Sequence, residues 1–226
     1  MKRALVFACL LAFILCGMVL ASEDNWRISI KADDGSGSGV SPFLQVGVGT
    51  PTDPLDPTNR ANYSQPGFYV VSVIPPYPYT YSRNILPPGD PPRVWELRIA
   101  AVGTTSGLPI RLSFYTAGSL ILPPPIVHGI PVSYRMKMID NRGMAGAPAN
   151  GTIWTLPIPT VHSTSAYYVL PASLPLIRLS EPTDAAMLSQ GYVMEFRQDV
   201  VPEPAGLLAL GSGLIGLATC ILRRKA

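Results

Sequence analysis

Trp26-Arg27-Ile28-Ser29-Ile30-Lys31-Ala32 sets Trp26, Ile28 and Ile30 against Arg27, Ser29 and Lys31 in strict alternation. Successive side chains of a strand point to opposite faces, so a period of two describes a strand with one face on a core and the other in water. Working outward, further strand candidates lie at 43–49, 67–74, 94–102, 108–116, 131–140, 152–156, 174–180 and 191–198. Trp95, Leu97 and Ile99 form one alternating inward set, and Ile110, Leu112 and Phe114 another. These short segments are cut by proline, glycine, serine and asparagine, with no sustained helical period. The pattern predicts an all-β domain, a single β-sandwich of two packed antiparallel sheets. Two proline-rich stretches, 74–92 and 121–132, lack the N–H donors a central strand needs, so they are expected to be loops or edge connections. One short helix is predicted within 182–190, capped by Thr183 or Asp184.

The two ends have a different chemistry. Lys2 and Arg3 precede an apolar run from Ala4 to Leu20, followed by the small residues Ala21 and Ser22. This order predicts a secretory signal peptide over 1–21, export through Sec and an exported domain over 22–200. Cys9 and Cys16 lie in that leader and Cys220 in the last apolar run, so residues 22–201 contain no cysteine. That composition excludes a disulfide framework and a thiolate metal site from the exported region. About 180 residues are enough to bury one core without covalent staples. The whole-chain charge of +3 includes Lys2, Arg3, Arg223, Arg224, Lys225 and Glu203; without these six residues the body carries −1. A body so nearly neutral argues against a nucleic-acid partner.

Motifs for chemistry are sparse. His128 and His162 are isolated in sequence, with no acidic neighbour or second ligand at metal-binding spacing. The stretch Gly35-Ser36-Gly37-Ser38-Gly39 has the letters of a nucleophile elbow, but Val40, Ser41 and Pro42 follow it where that elbow needs a helix. Asp33 and Asp34, and likewise Asp53, Asp56 and Asn59, form oxygen-rich loops that suit either calcium or turns closed by their own side chains. Asn62 and Asn150 head glycosylation-type tripeptides. A secreted carbohydrate-active enzyme would need two carboxylates facing one groove, for example among Asp33, Asp53, Asp56, Glu96 and Glu195. No spacing singles out such a pair, so no catalytic residue, metal ligand or cofactor is assigned.

The tail, residues 201–226, has three zones. Val201 leads into Pro202-Glu203-Pro204, an uncharged run fills 205–222, and Arg223, Arg224 and Lys225 follow. Eighteen residues span about 27 Å as a helix, close to the hydrocarbon thickness of a bilayer. Glycines at 206, 211, 213 and 216 suit a transmembrane helix better than a water-soluble one, and the basic end would anchor it on the cytoplasmic side. The prolines around Glu203 stop the helix and keep that tripeptide extended.

In this order, the zones resemble the PEP-CTERM sorting signal of Gram-negative bacteria. The resemblance implies an inner-membrane precursor and processing by an exosortase near Pro202, Glu203 and Pro204. Surface or matrix delivery would follow, in a context of exported polysaccharide and biofilm. On that reading the chain is a non-enzymatic substrate with a structural, adhesive or polysaccharide-associated role. The alternatives are the carbohydrate-active enzyme and a permanently anchored single-pass protein. The exported region is also similar, more diffusely, to immunoglobulin-like domains, in 26–34, 44–57 and 94–102 followed by 110–115.

Overall fold

The computed structural model describes residues 23–37, 39–116 and 122–202. Strands are numbered in chain order. One sheet runs β11 (Tyr168–Val169), β7 (Arg111–Tyr115), β1 (Trp26–Asp33), β2 (Phe43–Val48) and β5 (Arg83–Leu86). The other runs β10 (Ile153–Leu156), β9 (Ile130–Asp140), β13 (Tyr192–Val200), β6 (Arg93–Val102), β3 (Gly67–Val73) and β4 (Thr80–Tyr81). β12 (Arg178–Leu179) takes over the edge of β6 beyond the end of its pairing with β13, and β8 (Ile126–Val127) pairs with β9.

The alternation that predicted β1 explains its place. Trp26, Ile28, Ile30 and Ala32 are fully buried, and they lie opposite or beside Leu44, Val46 and Val48 of β2. From the facing sheet, β6 sends in Trp95, Leu97 and Ile99, β9 sends Met136 and Met138, and β13 sends Met194 and Phe196. Trp26 meets Trp95 at 5.7 Å and Tyr134 at 5.3 Å between ring centroids, both edge to face, so one indole from the small sheet sits in an aromatic niche of the large one. Asn84 of β5 makes a polar clip between the layers: its Nδ2 donates to Ser72 Oγ on β3 at 2.8 Å, and its carbonyl accepts from Trp95 Nε1 at 3.1 Å. Gly47 is required by the close pairing of β2 with β1, because a Cβ there would stand 2.0 Å from the Trp26 carbonyl oxygen.

The sheets correct the expected pairing in two respects. They are mixed, since β2 pairs with β5 and β6 with β12 in parallel; the likeness to an immunoglobulin domain therefore extends only to two facing sheets. In addition, the proline-rich stretch 74–92 supplies β4 and β5, each at the edge of its sheet, where a proline neighbour removes no ladder bond. The expected strand at 174–180 contracts to Arg178–Leu179, cut short by Pro175. Helix α1 (Asp184–Gln190) forms where expected; Thr183 is its N-cap and accepts from the Ala186 N–H. Asp184 then ties the helix to β4 by accepting from the Thr80 N–H at 3.1 Å and from the Thr80 hydroxyl.

Candidate functional site

β13 leads to Pro202, the first residue of the expected sorting tripeptide and the last that the structure describes. This strand lies inside the large sheet, between β9 and β6, and its inward residues form rows with both neighbours. The inward row at Gln198 is polar: Tyr134, Gln198 and Arg93 are direct partners across the three strands. Arg93 Nη1 donates to Gln198 Oε1 at 2.8 Å, Gln198 Nε2 donates to Tyr134 Oη at 2.9 Å, and the Tyr134 hydroxyl donates to the Pro124 carbonyl at 2.9 Å. Arg93 also donates to the Gly89 carbonyl. Desolvation by this burial pushes the Tyr134 phenol well above its usual range and holds the Arg93 guanidinium below its own. Pairing continues past the strand, since the Val201 N–H donates to the Pro131 carbonyl at 2.9 Å. Pro202, exposed, follows immediately and joins Pro92, Arg135, Lys137 and Arg197 around a groove of about 520 Å³. Glu203, Pro204, the expected helix at 205–222, the basic residues Arg223, Arg224 and Lys225, and the leader at 1–21 lie outside the described residues.

The candidate carboxylates are scattered, with one exception. Asp53 accepts from the Leu55 N–H and Asp56 from the Thr58 N–H and hydroxyl, so both close turns on their own backbone. These bonds hold the Asp56 carboxyl below the usual carboxylate range. Asn59 Nδ2 donates to the Asp53 carbonyl and ties that loop together. Asp33 accepts from Gly35 N–H and from Arg111. Glu96 and Glu195, in contrast, are direct cross-strand partners on the outer face of the large sheet. Like charges opposite one another disfavour a sheet, and each is offset by an arginine two residues along its own strand: Arg98 at 2.5 Å from Glu96 and Arg197 at 2.8 Å from Glu195. Among the described residues, no group of three or more histidine, cysteine, aspartate or glutamate side chains is arranged to hold a metal ion.

His128, isolated in sequence, is partnered in space. It forms with Gly129 a two-residue turn between β8 and β9, with φ of 48° and 80°, the geometry of a tight type I′ hairpin. Its backbone N–H donates to Glu23 at 2.7 Å, and its ring nitrogens lie 2.7 Å from Asp90 and 3.3 Å from Asp24. His162 contacts the Thr116 carbonyl at 3.3 Å in a loop.

Sequence reading did not assemble the outer face of the small sheet. Register brings Lys31 opposite both Phe43 and Ser113, and Ser29 opposite both Tyr115 and Gln45, with Arg83 next to Gln45. Phe43 and Tyr115 meet edge to face at 5.2 Å across β1, and the outward Ser29 is almost wholly covered. At the end of the same face, Arg111 Nε and Nη2 both donate to Asp33 Oδ1, at 3.0 and 2.7 Å, and Lys31 Nζ lies 3.9 Å from Asp33 Oδ2. A recess of about 290 Å³ opens there, lined by Lys31, Asp33, Arg111, Ser41 and the backbone of Gly35, Gly37 and Gly39. The signal was present in the alternation of β1, β2 and β7, but it becomes a surface only once the register is known.

Together these features define a two-sheet β domain whose inner strand leads directly into a C-terminal sorting element. Residues 200–225 match the model of the PEP-CTERM protein-sorting motif. The chain therefore carries a PEP-CTERM sorting motif, which implies a protein exported to the envelope or surface and targeted by an exosortase. Comparison with curated proteins and with solved structures gave no match.

Proposed function

We propose that the chain is a non-enzymatic surface or extracellular-matrix protein. It comprises a leader over 1–21, a β domain over 22–200 and a sorting tail over 201–226. The leader takes it through Sec and the helix at 205–222 holds the precursor in the inner membrane, with Arg223, Arg224 and Lys225 on the cytoplasmic side. Pro202, Glu203 and Pro204 form the element that the exosortase reads. The delivered domain then acts by structure or adhesion in association with exported polysaccharide. The observation that supports this most directly is the junction: strand pairing persists through Val201, one residue before Pro202, so whatever acts on the tail acts at the edge of the folded domain. The enzymatic alternative has less support, because Glu96 and Glu195, the pair that the register brings together among the five candidate carboxylates, sit on an open sheet face with each member held by an arginine.

Replacing Pro202, Glu203 and Pro204 together by alanine tests the assignment in the producing cell. The full-length mass and membrane retention of the variant are the expected outcome, against a shortened, surface-delivered parent. Identical mass and location for parent and variant would instead establish a permanently anchored single-pass protein.

A further inference from the structure

We propose that the outer face of the small sheet is a binding strip for an anionic polysaccharide, a polyuronate-type chain with sugar rings on Phe43 and Tyr115 and carboxylates on Lys31 and Arg111. This deepens the polysaccharide-associated reading above and rests on it. Charge is the first support. Lys31 and Arg111 project on this face and Arg83 lies beside Gln45 on it, against Asp33 and the neighbouring loop residue Asp34. Among these described residues, three cations against two carboxylates give a local excess of positive charge on a body whose total is −1.

Shape is the second support. Phe43 is 47% exposed although it lies in a strand, and the Tyr115 ring meets it edge to face. The pair presents an apolar platform of the kind that stacks on the C–H face of a sugar. Lys31 is the direct cross-strand neighbour of Phe43, and such neighbours have Cβ atoms about 5 Å apart, roughly the width of one sugar ring. A ring on Phe43 therefore brings its carboxylate within reach of Lys31, and the next ring extends toward Arg111 and the glycine-lined recess. There the exposed backbone and Ser41 offer hydrogen-bond partners for hydroxyl groups. Asp33, only 7% exposed, is a positioning residue that orients Arg111 and Lys31 from below. Gly35 keeps this arrangement open: it has φ of +77°, and a Cβ there would stand 3.3 Å from the Arg111 guanidinium carbon. A nucleic acid is the less favoured occupant, because so small a cationic excess neutralises few phosphates.

The test uses the full-length protein in a sugar-free zwitterionic detergent, with polygalacturonate, neutral dextran and duplex DNA as probes. Binding to polygalacturonate but not to dextran is expected. It should weaken about tenfold or more in Lys31→Gln/Arg111→Gln and in Phe43→Ala, and persist in Phe43→Tyr, with thermal midpoints matched to the parent. No retention on polygalacturonate, equal retention on DNA, or indifference to Phe43→Ala would each overturn the proposal. Because the assay is made in vitro, its failure leaves the sorting result intact, and failed sorting in the cell leaves the binding result intact.

Discussion

At the scale of single residues, His128 shows most clearly how the fold creates electrostatics that its neighbours in sequence do not have. Asp90 and Asp24, from two other segments, face its ring, Glu23 accepts from its backbone N–H, and Arg93 lies near enough to interact with both aspartates. The hydrogen bond to Asp90 first, and then the Asp24 charge, raise the imidazole above its ordinary value of 6.5. A group with a raised folded value stabilises the native state fully below its unfolded value, and that contribution disappears as pH rises through the folded value. The clamp holding Glu23 and Asp24 against the β8–β9 turn should therefore weaken as pH rises from 6.5. His128→Asn keeps a residue suited to the left-handed turn but removes the titrating group, and it should flatten this part of the stability–pH curve. Denaturant unfolding across that interval, together with an NMR titration of the ring, measures both effects. A His128 value at or below 6.5 would contradict the assignment.

At the scale of elements, the polar row at the end of β13 makes a second prediction. Gln198 is wholly buried, and its amide satisfies both the Arg93 guanidinium and the Tyr134 hydroxyl. Gln198→Leu leaves a buried cation short of a partner, so it should cost about 1–3 kcal/mol in denaturant unfolding; Arg93→Met in the same chain should recover part of that loss. Additive destabilisation in the double variant would show that the row is not coupled. This row also marks what the sequence could reveal. The strands with long alternation, β1, β6, β9 and β13, were legible because each has one wet and one dry face. β4, β5, β8 and β11 were not, since two to four residues among prolines carry no period, and their pairing is decided by partners remote in sequence. The helix α1 was legible from the stretch 182–190, and of its two cap candidates, Thr183 and Asp184, the structure uses Thr183. The partners of Asp33, His128 and Gln198 were not, because each contact closes between segments far apart in the chain.

At the scale of the whole molecule, the fold and the sorting tail meet without a spacer. β13 is held on both sides, by β9 and by β6, and the Val201 N–H is still bonded to the Pro131 carbonyl when the motif begins. A processing enzyme that takes extended peptide on either side of Pro202-Glu203-Pro204 must therefore either work against the edge of the domain or draw the last residues of β13 out of the sheet. Drawing them out as far as Gln198 would expose the buried Arg93, so the fold itself opposes access to the tail. About six glycine and serine residues inserted between Val201 and Pro202 add a flexible reach of roughly 12–15 Å, enough to separate the two. Pulse-chase in the producing cell should then show the precursor converted faster than in the parent, while the thermal midpoint is unchanged because every bond of β13 is retained. Conversion at the parental rate would mean that the domain edge offers no resistance, and that the tail is processed before β13 is in place.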